Sequence, residues 1–271
     1  MLVLERPKCF NIKDIFECGQ VFRYTRISDN EYNIISKDQF ANIKQDDKQI
    51  YIDSSNNEYF VNYLDYYTDY KKIINSIRDL PFIAKAVDNC DGTRILRQDK
   101  FETIISYIVS SNNNIPRIKH ILNKLSENFG ENNGEYYAFP SLEALVNVDI
   151  NDFRKLGLGY RDAYLKETVK KISQKTIDID KIEKLETFAA RKELLKLSGV
   201  GSKVADCILL FGYYKLDVFP VDTWVKKIYF DIFKDDENNI KIIADRLVKL
   251  YGKNSGYAQQ YLYYNKRIFE K

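Results

Sequence analysis

The first third of the chain alternates apolar and polar residues in short runs. Over residues 31–54, β-branched and aromatic residues recur in runs separated by polar turns, for example at 45–48. Alternation of this kind is typical of half-buried strands, and connections this short favour antiparallel hairpins. The sequence therefore predicts an antiparallel sheet at the N-terminal end of the chain.

From Asp99 onward, the spacing of apolar residues becomes that of amphipathic helices. Ile104 and Ile108 lie on one face of the first of these helices. A second helix is predicted to begin at Pro116 and to end at Gly130, because proline suits a first helical turn and glycine suits a helix C-terminus. Further helices are predicted at about 141–148, 161–173, 187–197, 203–213, 222–233, 238–251 and 256–269.

This change of period divides the chain in two near residue 97. The fold class is predicted to be α+β, with an antiparallel sheet domain over residues 1–97 followed by an all-α body over residues 98–271. The asparagine-rich segments at 128–134 and 236–239 are predicted to be mobile loops, and no repeat or long low-complexity linker is present.

Composition narrows the possible chemistry. No apolar run approaches the roughly 18 residues that a membrane span requires, and the first ten residues lack the apolar block of a secretion signal. The expectation is an intracellular protein without a membrane partner.

The four cysteines have no metal-ligand spacing, and the single histidine, His120, excludes most histidine-based triads and metal sites. Metal chemistry is therefore not expected.

Charge is distributed with a mild asymmetry. Residues 1–97 carry 14 basic and 15 acidic side chains, whereas residues 98–271 carry 28 and 24, a net charge of +4. A basic second part is compatible with a polyanionic partner, but an ordinary solvated surface is the better explanation of so small an excess.

The stretch LSGVGSKVADC, at 197–207, contains a candidate phosphate-binding hairpin. Gly199 and Gly201 allow a tight turn between two helices, and the N–H groups at the start of the second helix attract anions. A plain interhelical turn is the alternative. Lys203 stands in the first turn of that second helix, where a cation is disfavoured by the helix dipole.

Three further groups of residues accompany the hairpin. Asp222 lies 19 residues after Lys203, at the N-cap position of the next predicted helix. Three asparagines in SSNNNIPRI, beginning with Asn112, form a polar cluster that suits a loop or a nucleic-acid contact. Tyr160 and Arg161 follow a glycine pair in LGLGYR, where an aromatic ring beside a cation could wedge into or stack on bases. Each group also has an ordinary structural explanation.

Taken in order, the motifs GQVFR, RILRQD, SSNNNIPRI, LGLGYR, LSGVGSKVADC, PVD and GYAQ resemble those of the 8-oxoguanine DNA glycosylases in the helix-hairpin-helix superfamily. The resemblance extends from about Ile12 to the last predicted helix. It implies two helical subdomains that form a DNA-binding cleft, and a monomeric DNA repair enzyme with glycosylase and lyase activities. The implied substrate is double-stranded DNA with 8-oxoguanine opposite cytosine. The implied location is cytoplasmic or nucleoid-associated if the source is prokaryotic.

The resemblance assigns catalysis to two residues. Lys203 is the implied nucleophile, which attacks the sugar, expels the base and forms a Schiff base from which strand elimination proceeds. Asp222 is implied to stabilise positive charge that develops on the sugar. The helix dipole and burial lower the pKa of Lys203, whereas Asp222 raises it, and the sequence leaves this balance open.

Recognition of the flipped base is assigned to four residues by the same resemblance. The carbonyl of Gly19 is implied to accept the N7 proton that distinguishes 8-oxoguanine from guanine. Gln259 is implied to bond the Watson–Crick edge, and Tyr263 and Cys207 to cover the two faces of the base. Ordinary packing is the alternative for Tyr263 and Cys207.

The implied DNA contacts lie in three loops. Asn112 fills the gap left by the flipped nucleotide, Tyr160 wedges beside it, and Arg117 and Arg161 reach the orphaned partner base, although a surface role is the alternative for both arginines. Phosphate contacts are assigned to Gly199, Gly201 and Val204. No cofactor is required, but a monovalent cation could be held by the backbone carbonyls of the hairpin residues Leu195, Leu197 and Val200.

The chain departs from the family pattern at three positions. Trp224 replaces a histidine, which puts nearby phosphate contacts in doubt. Tyr263 in place of phenylalanine is a conservative change, and Ser198 in place of a frequent proline is expected to have little effect. Two related families fit less well. The iron–sulfur branch requires four cysteines after the hairpin, and no cysteine follows Cys207; the alkylated-base glycosylases typically lack the lysine. A non-catalytic DNA-binding module stays open as an alternative.

Overall fold

A computed structural model of the protein describes residues 1–80 and 82–269. The final two positions of the predicted helical body, 270 and 271, lie outside the described residues. The strands of the N-terminal sheet are β1 (Leu2–Glu5), β2 (Tyr24–Ser28), β3 (Glu31–Ser36), β4 (Gln39–Gln45) and β5 (Gln49–Ser54).

The predicted antiparallel sheet is confirmed. Its five strands follow the order β1-β5-β4-β3-β2, and every neighbouring pair is antiparallel. Along β3, buried residues alternate with partly exposed ones, as the sequence pattern predicts. The turn at 46–48 is closed by the carboxylate of Asp46, which accepts from the backbone N–H groups of Lys48 and Gln49 at 2.8 and 2.7 Å.

The helices of the first part are α1 (Ile12–Glu17), α2 (Asn57–Tyr63), α3 (Tyr70–Ile77) and α4 (Ala84–Asn89). Those of the helical body are α5 (Lys100–Ser110), α6 (Ile115–Phe129), α7 (Leu142–Val146), α8 (Ile150–Lys155), α9 (Arg161–Ser173), α10 (Ile179–Glu183), α11 (Thr187–Leu194), α12 (Ser202–Gly212), α13 (Thr223–Phe233), α14 (Ile240–Tyr251) and α15 (Ser255–Phe269). None of these described helices combines the length and the apolarity that a bilayer span requires.

The first 97 residues contain more helix than the sequence pattern indicates. Helix α3 buries Tyr70, Ile74 and Ile77, a helical spacing that the strand pattern upstream obscures. It joins the core of the helical body, as does α4, which packs against α15. The division near residue 97 stays a prediction, while the packing assigns buried apolar residues such as Tyr70, Ile83 and Ile95 to the helical core.

A buried ion pair lies where the sheet meets the helical body. The Arg23 guanidinium, 3% exposed, lies 3.8 Å from the carboxylate of Glu102 and 5.6 Å from the ring centre of Phe139. Glu102 also accepts from the backbone N–H of Lys37 at 2.6 Å. Burial raises the pKa of Glu102 to about 7, although Arg23 opposes this shift.

The raised pKa of Glu102 makes stability depend on pH. Between the ordinary carboxyl pKa and pH 7, the folded protein keeps a proton that the unfolded chain loses, so stability falls as pH rises through this interval. Glu102→Gln keeps an acceptor for Lys37 but does not titrate. Urea unfolding at pH 5 and pH 8 should show a loss of stability roughly 2–3 kcal/mol larger in the natural protein than in Glu102→Gln.

The exposed glutamate Glu58 provides the matched control for this measurement. Glu58→Gln should lose the same stability as the natural protein between the two pH values. If Glu102→Gln loses as much free energy of unfolding between pH 5 and pH 8 as the other two proteins, the carboxyl of Glu102 does not cause the pH dependence of stability.

Candidate active site

The predicted hairpin joins α11 to α12. Gly199 has φ +78°, and a Cβ atom there would lie 2.5 Å from the ring of Tyr164, so both the backbone conformation and the space require glycine. Gly201 is the N-cap of α12 and has no other atoms within 4 Å of its Cβ position. The N–H groups of the first turn of α12 therefore face an open approach that suits a phosphate.

Lys203 projects from the first turn of α12 into the protein. Its amine lies 5.6 Å from the ring centre of Tyr107, and Lys203 shares the wall of one cavity with Cys207, one turn further along the helix. Burial, the largest single influence, lowers the pKa of Lys203, whereas interactions with Cys207, Asp222 and Tyr263 raise it, and together they hold that pKa above the usual lysine value. The structure thus decides the balance in favour of the ammonium form in the DNA-free protein.

Asp222 is the N-cap of α13, as the sequence predicts. Its Oδ1 accepts from the backbone N–H groups of Trp224 and Val225, both at 2.9 Å. The same carboxylate lines the cavity that contains Lys203. Capping therefore fixes the carboxylate on the wall of this cavity, and the structural and chemical roles of Asp222 are compatible.

The two residues share a narrow cavity of about 40 Å³ between α5, α12, α15 and the segment that leads into α13. Six lining residues are the implied catalytic and base-binding ones: Gly19, Lys203, Cys207, Asp222, Gln259 and Tyr263. The other four are Tyr107, Phe211, Pro220 and Gln260. This volume holds about one water molecule. A purine base can enter only if some of these side chains move apart.

The implied base-binding residues all line this cavity. Gly19 has φ +90°, and its Cβ position lies 3.5 Å from the ring of Tyr263. Gln259 is 5% exposed, and its Oε1 has no hydrogen-bond partner. Burial raises the pKa of Cys207 to about 11, so this side chain is a neutral thiol near pH 7. The unpartnered amide oxygen is ready to accept from an entering base.

Gln20 holds the backbone beside Gly19 in place. Its buried amide donates to the carbonyl of Arg94 at 2.7 Å and accepts from the N–H of Leu96 at 2.9 Å. The carbonyl of Gln20 itself accepts from the hydroxyl of Tyr107 at 3.3 Å. The motifs GQVFR and RILRQD are thus joined by hydrogen bonds that position the loop 18–23 between α1 and β2, called the recognition loop below.

The implied DNA-contacting loops lie beside each other. Asn112 is exposed and has φ +48°. Tyr160, which is 52% exposed, packs its ring edge-on against Tyr164. The Arg117 guanidinium donates to the carbonyl of Gly157 at 3.0 Å and thereby links the asparagine loop to the loop that carries Tyr160. The backbone that carries the exposed side chains of Asn112 and Tyr160 is therefore held by this hydrogen bond.

Arg161 joins the same two loops by hydrogen bonds that run the other way, from the loop of Tyr160 to the asparagine loop. It is 5% exposed, and its guanidinium donates to the carbonyls of Ser111 and Asn112 and to that of Leu158. These contacts occupy both terminal nitrogens of Arg161 in the DNA-free protein. Contact with an orphaned base requires Arg161 to exchange these carbonyls for the base, and this role stays a prediction.

The implied cation ligands lie in the turn between α11 and α12. The carbonyl of Leu197 accepts from the N–H of Val200 at 3.2 Å, whereas no backbone N–H of the described chain donates to the carbonyls of Leu195 or Val200. Oxygen ligands of this kind fit a hard monovalent cation. Among the described residues, no three His, Cys, Asp or Glu side chains form a group that could hold a metal ion.

Several residues around the cavity escape the sequence patterns. Tyr107 lies within the apolar face of α5, so its position indicates only core, and Phe211 resembles any buried residue of α12. Arg267 contacts the recognition loop from α15, where its position near the chain end suggests a surface cation. A helical spacing of four from Tyr263 is the only signal that could have identified it.

Family models and a solved structure of 8-oxoguanine DNA glycosylases match this chain. Residues 2–104 match the family model described as 8-oxoguanine DNA glycosylase, N-terminal domain, and residues 105–253 match the HhH-GPD superfamily base excision DNA repair protein. An 8-oxoguanine glycosylase/lyase of Clostridium acetobutylicum, solved with double-stranded DNA containing cytosine opposite 8-oxoguanine, is 36% identical with a TM-score of 0.92. The match covers 100% of this chain and 99% of that chain.

Curated relatives are similar over shorter segments. A probable N-glycosylase/DNA lyase of Methanothermobacter thermautotrophicus is 33% identical over 68% of this chain and 67% of its own length. The N-glycosylase/DNA lyase OGG1 of Arabidopsis thaliana is 37% identical over 64% of this chain and 51% of its own, so the match spans about half of that relative. The chain belongs to the 8-oxoguanine DNA glycosylases of the HhH-GPD superfamily of base excision DNA repair proteins.

Proposed function

We propose that this protein is a bifunctional DNA repair enzyme that excises 8-oxoguanine from duplex DNA and then cleaves the strand as a lyase. The observation that carries the proposal is the convergence of Lys203 and Asp222 on one cavity, with the backbone of Gly19 and the unpartnered oxygen of Gln259 on its wall. An amine, a carboxylate and a base-reading surface are the groups that this reaction needs.

Excision begins with the damaged nucleotide turned out of the helix, because its sugar is inaccessible in a duplex. Entry of the base excludes water and deepens the burial of Lys203, which favours loss of the ammonium proton. The neutral amine attacks C1′, and the bond from C1′ to N9 breaks with its electron pair leaving on the base, which takes up a proton. Asp222 stabilises the positive charge on the sugar during this step.

The covalent intermediate then supports strand cleavage. Opening of the sugar ring gives a Schiff base between C1′ and the nitrogen of Lys203. Loss of a proton from C2′ breaks the bond between C3′ and O3′ and releases the 3′ strand, and water hydrolyses the Schiff base to regenerate the amine. Every step uses groups of the chain, the DNA and water, so no cofactor is needed.

Binding of the duplex is assigned to the exposed loops. Asn112 fills the vacated space, Tyr160 wedges beside it, and Arg117 and Arg161 read an orphaned cytosine, whose unpaired edge offers acceptors to arginine. Gly199, Gly201 and Val204 contact phosphate at the start of α12. A monovalent cation on the carbonyls of Leu195, Leu197 and Val200 would support this turn structurally. The acting unit is a monomer.

Borohydride trapping on DNA tests the proposal against its alternatives. The protein should form a covalent adduct with a duplex that contains 8-oxoguanine opposite cytosine, release the base and cleave the strand. An undamaged duplex of the same sequence should give none of these products. A non-catalytic DNA-binding module would shift both duplexes on a gel without an adduct, and a glycosylase for another base would release only that base. Either result would overturn the proposal.

A further inference from the structure

We propose that Arg267 is a further recognition residue, which holds the loop of Gly19 against α15 and donates a hydrogen bond to a carbonyl oxygen of the flipped base. This inference rests on the proposed function and names a substrate contact within the same site. It is carried by three contacts of the guanidinium and by one nitrogen that has no partner.

The guanidinium of Arg267 joins the two halves of the base-binding surface. One terminal nitrogen, Nη2, donates to the carbonyl of Glu17, two residues before Gly19. The guanidinium carbon lies 5.4 Å from the ring centre of Tyr263, the implied stacking residue, and 5.8 Å from that of Tyr264. Arg267 therefore ties the loop of Gly19 to the helix that carries Gln259 and Tyr263, alongside the amide of Gln260, which donates to the carbonyl of Cys18 at 3.1 Å.

The other terminal nitrogen, Nη1, lies against Gly19. It is 2.6 Å from the position that a Cβ atom of Gly19 would occupy, so the absence of a side chain at Gly19 makes room for Arg267 as well as for the base. Nη1 is buried and has no hydrogen-bond partner. A buried, charged donor without an acceptor is costly, and an entering ligand that brings an acceptor would relieve that cost.

8-Oxoguanine brings such acceptors to this place. When its N7 proton faces the carbonyl of Gly19, the carbonyl oxygens on C6 and C8 flank that proton. The proposal places one of these oxygens against Nη1 of Arg267, which lies beside Gly19. Gln259 contributes an unpartnered acceptor and Arg267 an unpartnered donor, which together complement the donors and acceptors of the lesion.

The helix geometry places Arg267 in line with the other recognition residues. Gln259, Tyr263 and Arg267 are spaced four residues apart along α15, so they project from one face in consecutive turns. The recognition loop lies across this face. Arg267 is therefore a continuation of the base-binding surface toward the chain end.

Excision and lyase activities separate this role from a structural one. Arg267→Leu should slow single-turnover excision of 8-oxoguanine opposite cytosine by about 10–100-fold, the effect of losing a charge-assisted hydrogen bond. On a duplex with a preformed abasic site, where no base is bound, its lyase rate should equal that of the natural protein. Arg267→Lys keeps one charged donor and should recover part of the excision rate.

Arg6→Leu is the matched control. Arg6 also binds backbone carbonyls, those of Phe10 and Asp46, but none of these three residues lines the cavity. It should leave both rates unchanged. The inference fails if Arg267→Leu excises 8-oxoguanine at the natural rate, or if its lyase rate on abasic DNA falls as far as its excision rate. Absence of excision by the natural protein would instead overturn the proposed function.

Discussion

Lys203→Gln should form no borohydride-stable adduct with DNA containing 8-oxoguanine and should excise the base at least about 10³-fold more slowly than the natural protein. Glutamine has no nucleophilic amine, so neither C1′ attack nor the Schiff base is possible. Single-turnover excision and trapping at one enzyme concentration measure both losses. Binding to the same duplex should persist, because the N–H groups of the hairpin do not depend on the lysine side chain.

A surface lysine provides the comparison for this substitution. Lys170 lies exposed on α9, and Lys170→Gln should retain full trapping and excision. Thermal unfolding should show that Lys203→Gln is folded, since the change removes a buried charge rather than a packing residue. Undiminished trapping in Lys203→Gln would show that another amine forms the adduct.

Asp222→Asn should reduce excision of 8-oxoguanine by about 10²–10³-fold while leaving stability nearly unchanged. Asparagine caps a helix about as well as aspartate, so the hydrogen bonds to Trp224 and Val225 survive. What disappears is the negative charge that stabilises the developing cation on the sugar. Asp222→Ala should show the same catalytic loss together with about 1 kcal/mol of lost stability in urea unfolding.

The same substitution changes the pH profile of the lyase reaction. The carboxylate of Asp222 helps to raise the pKa of Lys203, so its removal should lower that pKa and move the rising limb of abasic-site trapping to lower pH. This shift should accompany the loss of excision. Excision by Asp222→Asn at the natural rate would reduce Asp222 to a helix cap.

The sequence by itself determined the elements whose signals are local. Strand alternation, the helical period after Asp99, the glycine hairpin and the N-cap at Asp222 each depend on residues a few positions apart, and all are present in the structure. The motif order also identified the family. Helix α3 was missed because its apolar spacing is short and follows a strand-rich segment, where neighbouring patterns indicate sheet.

Tertiary structure alone decided how distant groups act on one another. The pKa of Lys203 depends on burial and on Asp222 and Tyr263, and the guanidinium of Arg161 lies among the carbonyls of a loop about 50 residues away. Arg267 meets Gly19 across nearly the whole chain. Desolvation and Coulomb interactions follow distances in space, which a pattern of neighbours along the chain does not contain.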